Sequence, residues 1–317
     1  MTSKKKLLVL AIGGNSLIAD AQHRAVADQY SACLDTCQHI VPLVKQGYRL
    51  VITHGNGPQV GFIWRRAELA AHELHMVPLD SCGADTQGAI GYQVQRAMYN
   101  CMRDWPKPVP IATIVTQTLV DADDPAFRRP TKPIGSFMDA ETAQTRQERD
   151  GWNIVEDAGR GFRRVVPSPQ PREILEFPAI QKLITAGFVV VAAGGGGIPV
   201  VKEADGTLSG VEGVIDKDLA SSLLAQKLDA DLLVISTAVE RVCLNYGKPN
   251  QRPLDRMTLA EAKQYMQEGH FAPGSMLPKI QAIVRFLEAG GREALITNPP
   301  NLTRAMAGQT GTRIVRE

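Results

Sequence analysis

Short runs of Val, Ile, Leu and Ala recur along the chain, at Leu7 to Ile12, Leu50 to Thr53, Val109 to Val115, Phe188 to Ala192, Leu232 to Ser236 and Ala294 to Thr297. Most are apolar at every position instead of alternating with polar residues, which is the pattern of strands covered on both faces. Between them lie segments of mixed polarity and helical length: Ala25 to Gln46, Gln59 to Leu74, Gln87 to Met102, Ile174 to Ala186, Leu219 to Leu228 and Ile280 to Glu288. This alternation predicts an α/β fold, a mainly parallel sheet sandwiched by helices, in one compact unit. Gly47, Gly187 and Gly290 fall where a left-handed residue would close a helix.

The stretch from Asp121 to Pro171 interrupts the rhythm with Pro, Asp, Arg and Gly. A loop of this length is functional or a small subdomain. Phe127, Phe137, Trp152 and Phe162 suggest that it folds on itself, and Lys132, Arg160, Arg163 and Arg164 make it locally basic. A lid and a solvated excursion both remain open on these letters.

The strand ends carry the candidate chemistry. Gly13-Gly14-Asn15 follows the first apolar run and Gly55-Asn56-Gly57 the second. Strands that end in glycines and hand over to helices leave backbone N–H groups able to hold an anion, although such glycines also make plain tight turns. Gly194-Gly195-Gly196-Gly197 opens a third strand end. Four glycines in a row cost conformational entropy, so the backbone is expected to approach something closely, or to hinge. Neither a Walker A loop nor a dinucleotide fingerprint after the first strand is present.

Lysines then supply charge. Lys217 sits between Asp216 and Asp218 before a helix, where capping by a carboxylate and placement of the lysine are compatible. Lys279 stands at another helix start, unfavourable for a cation unless something negative offsets it. Lys132 is pinned between Pro130 and Pro133. Lysines placed around an anion site suit phosphoryl transfer, whose transition state is met by positioning and charge neutralisation.

Composition narrows the alternatives. A net charge of +2, from 35 basic and 33 acidic residues, gives no overall signal for nucleic acid or an anionic membrane. The apolar runs are shorter than a membrane span, and Lys4-Lys5-Lys6 leads into a strand instead of a signal peptide, so a soluble cytoplasmic protein is expected. Cys33, Cys37, Cys82, Cys101 and Cys243 lack CxxC spacing and read as ordinary buried thiols.

Taken in order, these motifs resemble those of the carbamate kinases in the amino acid kinase superfamily. The resemblance covers nearly the whole chain. It rests on Gly13-Gly14-Asn15, His54 to Gly61, Pro130 to Gly135, Glu156 to Gly161, Arg163 to Val166, Gly194 to Pro199, Val214 to Asp218, Thr237 to Glu240 and Gly274 to Lys279. It implies a three-layer α/β/α sandwich, a homodimer, and a protruding subdomain over residues 121–166 within one domain of 1–317. The implied reaction is reversible transfer between ADP with carbamoyl phosphate and MgATP with carbamate, running toward ATP during arginine or purine-derived ureide breakdown. By motif match, Gly13, Gly14, Asn15, Gly55, Asn56 and Gly57 would cradle carbamoyl phosphate. Lys132, Lys217 and Lys279 would neutralise the transferring group, Asp218 would orient the lysines, and Asp216 would assist. Gly195, Gly196, Thr237, Ala238, Val239, Tyr246, Gly247, Met276 and Pro278 would lie along the nucleotide, with Mg2+ held through its phosphates and no protein metal ligand. Alternatives of the same ancestry are a kinase for another small carboxylate and a non-catalytic nucleotide-binding paralogue.

Related kinases carry a lysine two positions before the first glycine pair, where this chain has Ala11, and Lys132 is the replacement that the resemblance implies. Two departures touch the site: Leu277 in place of glycine, and Asp85-Thr86 in place of a methionine-serine pair. Asp85 is expected to be an exposed residue at a helix start.

Overall fold

A computed structural model of the chain describes residues 5–14, 17–18, 22–156 and 161–317. Its centre is an eight-stranded sheet. The strands are β1 (Leu7–Ile12), β2 (Arg49–His54), β3 (Ile111–Thr113), β4 (Val189–Val191), β5 (Leu232–Ser236), β6 (Arg256–Thr258), β7 (Glu293–Thr297) and β8 (Thr312–Val315). They lie in the order β6-β8-β7-β5-β1-β2-β4-β3. Every pairing from β7 across to β3 is parallel, while β8 runs antiparallel to β7.

The helices are α1 (Val26–Lys45), α2 (Gly57–Ala70), α3 (Leu79–Cys101), α4 (Ala140–Asp150), α5 (Phe177–Thr185), α6 (Lys217–Lys227), α7 (Leu259–Gln267), α8 (Met276–Glu288) and α9 (Leu302–Met306). β1 shows how its residues make the layers. Leu7, Val9 and Ala11 point into an apolar cluster with α5, α6, α7 and α8, and Leu8, Leu10 and Ile12 point into another with α1, α3 and α9. Successive side chains of a strand face opposite ways, so an all-apolar strand joins two cores at once. The result is the three-layer sandwich.

Gly47, Gly187 and Gly290 take positive φ of 89°, 89° and 109°, as helix-closing residues do. Several boundaries differ from the sequence expectation. α3 begins at Leu79 and not at Gln87, and carries Gly83 and Gly88 within the helix. Gly91 is required there: a Cβ on it would lie 2.2 Å from Thr113 Cγ2 of β3. Asp85 is exposed but lies in the second turn of α3, not at its start. Ile174 belongs to a two-residue strand, and α5 starts at Phe177 with a proline in its first turn. β6, β8 and α7 are short and mixed in polarity and gave no periodic signal.

Between Lys132 and Val166 the chain builds a separate three-stranded antiparallel sheet from Lys132–Met138, Ile154–Glu156 and Phe162–Val166. α4 joins its first two strands, capped by the Asp139 side chain at Thr142 N, 2.7 Å away. This sheet seats on α2. A Cβ on Gly61 would come within 2.6 Å of Gly135 Cα, so glycine permits the close approach. Val60, Leu79, Cys82, Ile134, Val166 and Val214 close an apolar cluster beneath it. Among the described residues, no helix is long and apolar enough to cross a membrane. Cys33, Cys37 and Cys82 are buried; Cys101 and Cys243 are partly exposed, against the expectation of burial throughout.

Candidate active site

Because β1, β2, β4, β5 and β7 are parallel and in register, their carboxyl ends open along one edge of the sheet. Ile12 pairs with both His54 and Ser236, and Ser236 with Thr297. Ligands of open α/β sheets bind in the crevice at this edge. Here the edge holds a cavity of about 160 Å³ whose walls include Gly14, Gly55, Asn56, Gly57 and Gly195 on the turn side. Lys132, Asp216, Lys217, Asp218, Pro278 and Lys279 supply the charged side, with Gly274 and Ser275 beside them. Residues 84 and 61 apart in the chain are thus brought into contact.

The charges are arranged as two linked clusters. Asp218, 3% exposed in its side chain, is held between two ammonium groups: that of Lys217 and that of Lys279, the latter 3.1 Å away. Asp216 divides its carboxylate. Oδ1 accepts from the N–H groups of Asp218 and Leu219 at 2.9 and 3.4 Å, capping α6, and Oδ2 accepts from Lys132 Nζ at 2.7 Å. The Lys217 stem lies over Gly55, whose missing Cβ would stand 3.5 Å from it. Ser221 anchors the turn, donating to the Lys217 carbonyl at 2.6 Å and sharing a 2.6 Å hydrogen bond with Thr53 of β2.

Burial opposes charge on Asp218, but Lys217 and Lys279 outweigh it and hold the carboxyl far below the usual range. Asp216 follows the same logic, burial against it and Lys132 for it, and is also lowered. Burial pulls the Lys217 ammonium below the lysine range; Asp218 pushes it back up and Lys279 adds to the fall. The site therefore contains desolvated cations held by carboxylates and, among the described residues, no side chain arranged as a covalent nucleophile. Charges placed in this way have the chemistry to neutralise a phosphoryl group.

His54, at the end of β2, is buried and its Nδ1–H donates to the Gly55 carbonyl at 3.0 Å. Burial lowers its pKa from 6.5 to about 4, the Gly55 hydrogen bond partly opposes this, and Lys217 adds to the lowering. The unfolded chain thus takes up a proton at His54 near neutral pH and the folded chain does not, so this contribution to stability is full above pH 6.5 and lost toward pH 4. Urea unfolding is expected to show His54 removing about 2 kcal/mol between pH 7 and 5, a slope that His54→Gln flattens over that interval.

The glycine loop after β4 approaches other parts of the protein. A Cβ on Gly194 would meet His54 Nε2 at 2.3 Å, one on Gly195 Asn56 Nδ2 at 2.1 Å, one on Gly196 the Ile215 carbonyl oxygen at 2.7 Å, and one on Gly197 Thr118 Oγ1 at 1.9 Å. Gly195 reaches the cavity; Gly196 is buried, its N–H bonded to the Ala193 carbonyl and its carbonyl to Thr118 Oγ1. Asn56 is oriented by Thr86, which accepts from its Nδ2 at 2.9 Å and donates to the Gly83 carbonyl at 2.7 Å. Thr86 thus has a supporting part that its position in the sequence, 30 residues away, did not reveal.

The remaining expected residues are dispersed. Gly13 spends its N–H on the Ser236 carbonyl at 3.0 Å, and Asn15 and Arg160 lie outside the described residues. Thr237 and Ala238 line a neighbouring cavity of about 600 Å³ with Asn298 and Pro299. Val239 follows at the same strand end, half-buried. Tyr246 is 66% exposed, and Gly247, at φ 77°, donates to Gln251 Oε1. Met276 packs on the α5–α8 core, as does Leu277. Ala11 is wholly buried in that same core, and Lys6 lies at the opposite end of β1 with Arg49 and Asp231.

A model of the amino acid kinase family matches residues 6–298. The chain belongs to the amino acid kinase family. It is therefore a phosphotransferase. Within the amino acid kinase family it is 50% identical over 315 residues to the carbamate kinase-like protein YahI of Escherichia coli (strain K12), covering 98% of this chain and 99% of that protein. It is 46% identical to the carbamate kinase of Thermococcus kodakarensis, over 98% and 100% of the two chains. The structure of carbamate kinase from Giardia lamblia bound to AMP-PNP superposes with a TM-score of 0.91 at 42% identity, covering both chains fully.

Proposed function

We propose that this amino acid kinase is a carbamate kinase, transferring a phosphoryl group reversibly between carbamoyl phosphate and ADP. The observation that carries the reading is the pairing of two carboxylates, buried Asp218 and half-buried Asp216, with three lysines beside the Gly14 and Gly55-Asn56-Gly57 turns. In this reading the turns, Gly13 and Asn15 included, hold the carbamoyl phosphate side. Lys217 and Lys279 neutralise the group in flight, Asp218 fixes both, and Asp216 holds Lys132 against the transferred phosphate. The nucleotide runs from Gly195 and Gly196 past Pro278 and Met276 toward Thr237, Ala238, Val239, Tyr246 and Gly247. Magnesium fits as a companion of the nucleotide phosphates, where it supplies further charge neutralisation, because Asp216 and Asp218 are already engaged by lysines and the α6 amides. Residues 121–166 act as a lid that delivers Lys132. The working form is a cytoplasmic homodimer, and flux runs toward ATP during breakdown of arginine or purine-derived ureides.

A coupled assay is expected to detect ATP made from ADP, carbamoyl phosphate and magnesium. Activity confined to another small carboxylate, such as acetylglutamate, would overturn the acceptor; that second reading draws on the carbamate kinase-like name of the 50% identical relative. Lys132→Ala is expected to lower turnover by about 100-fold while ADP affinity, measured by calorimetry, is unchanged. Parallel loss of ADP binding would detach Lys132 from the transferred phosphate.

A further inference from the structure

The seam between α2 and the small sheet encloses a second cavity, of about 330 Å³, which is within the size of small-molecule sites. Its walls bring together Trp64 of α2, Arg146 of α4, and Phe137, Met138, Trp152 and Arg164 of the inserted segment. The Arg164 guanidinium carbon lies 4.2 Å from the centre of the Trp64 ring and 4.9 Å from that of Trp152. Arg146 approaches Trp152 at 4.9 Å. The carboxylates nearby are already committed. Glu68 accepts from Trp64 Nε1 at 3.3 Å and from Arg65 at 3.1 Å, with Arg146 at 3.6 Å. Asp139 caps α4, and Asp150 is held by Arg146 and Arg149.

Arg164 is left differently. Among the described residues its Nη1 is buried without a hydrogen-bond acceptor, and Glu212, Glu68 and Asp150 act on it only as more distant charges. Burial pulls the guanidinium below the usual arginine range, the sign of a cation short of compensation. The ring contacts recover part of this cost, but they supply no acceptor oxygen. Three guanidiniums, of Arg65, Arg146 and Arg164, and two carboxylates, of Glu68 and Asp139, line one crevice of mixed polarity, with Asp150 pairing Arg146 from outside the lining.

We infer that this crevice binds a small organic anion, a carboxylate pairing with Arg164 and a flat apolar body lying against Phe137, Met138 and Trp152. The strand that contributes Phe137 and Met138 carries Lys132 at its other end, so the two cavities share one element while taking different ligands. Because Trp64 and Trp152 line the crevice, tryptophan fluorescence reports on it directly. Titration with phenylacetate is expected to give saturable quenching with a Kd of roughly millimolar order, with saturating ADP and carbamoyl phosphate leaving the curve in place. Phenylacetamide, which lacks the charge, is expected to bind at least ~10-fold more weakly, and Arg164→Gln to cost phenylacetate a similar factor. Thr142→Phe, an exposed α4 position on the rim, fills the crevice without disturbing Arg164 and is expected to abolish the signal. Unsaturable quenching, equal response to phenylacetamide, displacement by the substrates, or binding unchanged in both variants would each overturn the assignment.

Discussion

Lys217→Ala is expected to lower turnover in the ADP and carbamoyl phosphate assay by at least ~100-fold, the scale of removing one preorganised electrostatic donor to a transition state. The ammonium is desolvated, with a side chain only 11% exposed, and it is held by Asp218 over Gly55. Water cannot replace it cheaply, because a charge in a dry site acts through a lower effective dielectric than one in solvent. The fold is expected to persist, since Asp218 keeps Lys279 as a partner at 3.1 Å. A near-normal turnover number would remove Lys217 from the chemistry and leave it a packing role over Gly55.

Asp218→Asn is expected to damage both stability and catalysis. The substitution leaves Lys217 and Lys279 facing each other with their common counter-charge gone. Breaking a buried ion pair from one side costs about 3–5 kcal/mol, so thermal unfolding should begin roughly 10 °C lower. Turnover should fall with it, because a lysine without its partner loses both its position and part of its charge. The acid limb separates this residue from others. Asp218 has a depressed pKa in the fold, so its contribution is present above the ordinary carboxylate pKa of about 4 and disappears as pH falls through the folded value. The variant should lack that part of the acid loss. An unchanged melting temperature would contradict the bridging role.

Much of this architecture was legible because it rests on local rules. All-apolar runs such as Leu7–Ile12 mark strands covered twice, and the glycines after β1 and β2 mark turns at strand ends. What escaped was set by tertiary contact. The start of α3 was hidden because the stretch from Leu79 to Thr86 carries Asp80, Ser81, Gly83 and Asp85 and shows no helical signal of its own, and the strands of the insertion were masked by prolines and arginines that face α2 and a cavity. The same division holds within the site. Lys132, Lys217 and Lys279 stood out by type and by neighbours. Their distribution between Asp216 and Asp218 did not, since it joins positions 84 and 61 residues apart. The glycine loop after β4 did announce a close approach, but the approaching groups are His54, Asn56, Ile215 and Thr118 of the protein itself.

The divided carboxylate of Asp216 has a mechanical consequence. Its two oxygens face different bodies, the opening amides of α6 on one side and the lysine of the inserted sheet on the other. A planar group cannot turn to follow one without loosening its grip on the other. Drift of the strand Lys132–Met138 away from the sheet edge would therefore tug at the first turn of α6, the turn that carries Lys217. Lys132 and the turn that carries Lys217 thus have a single planar carboxylate as their common point of attachment.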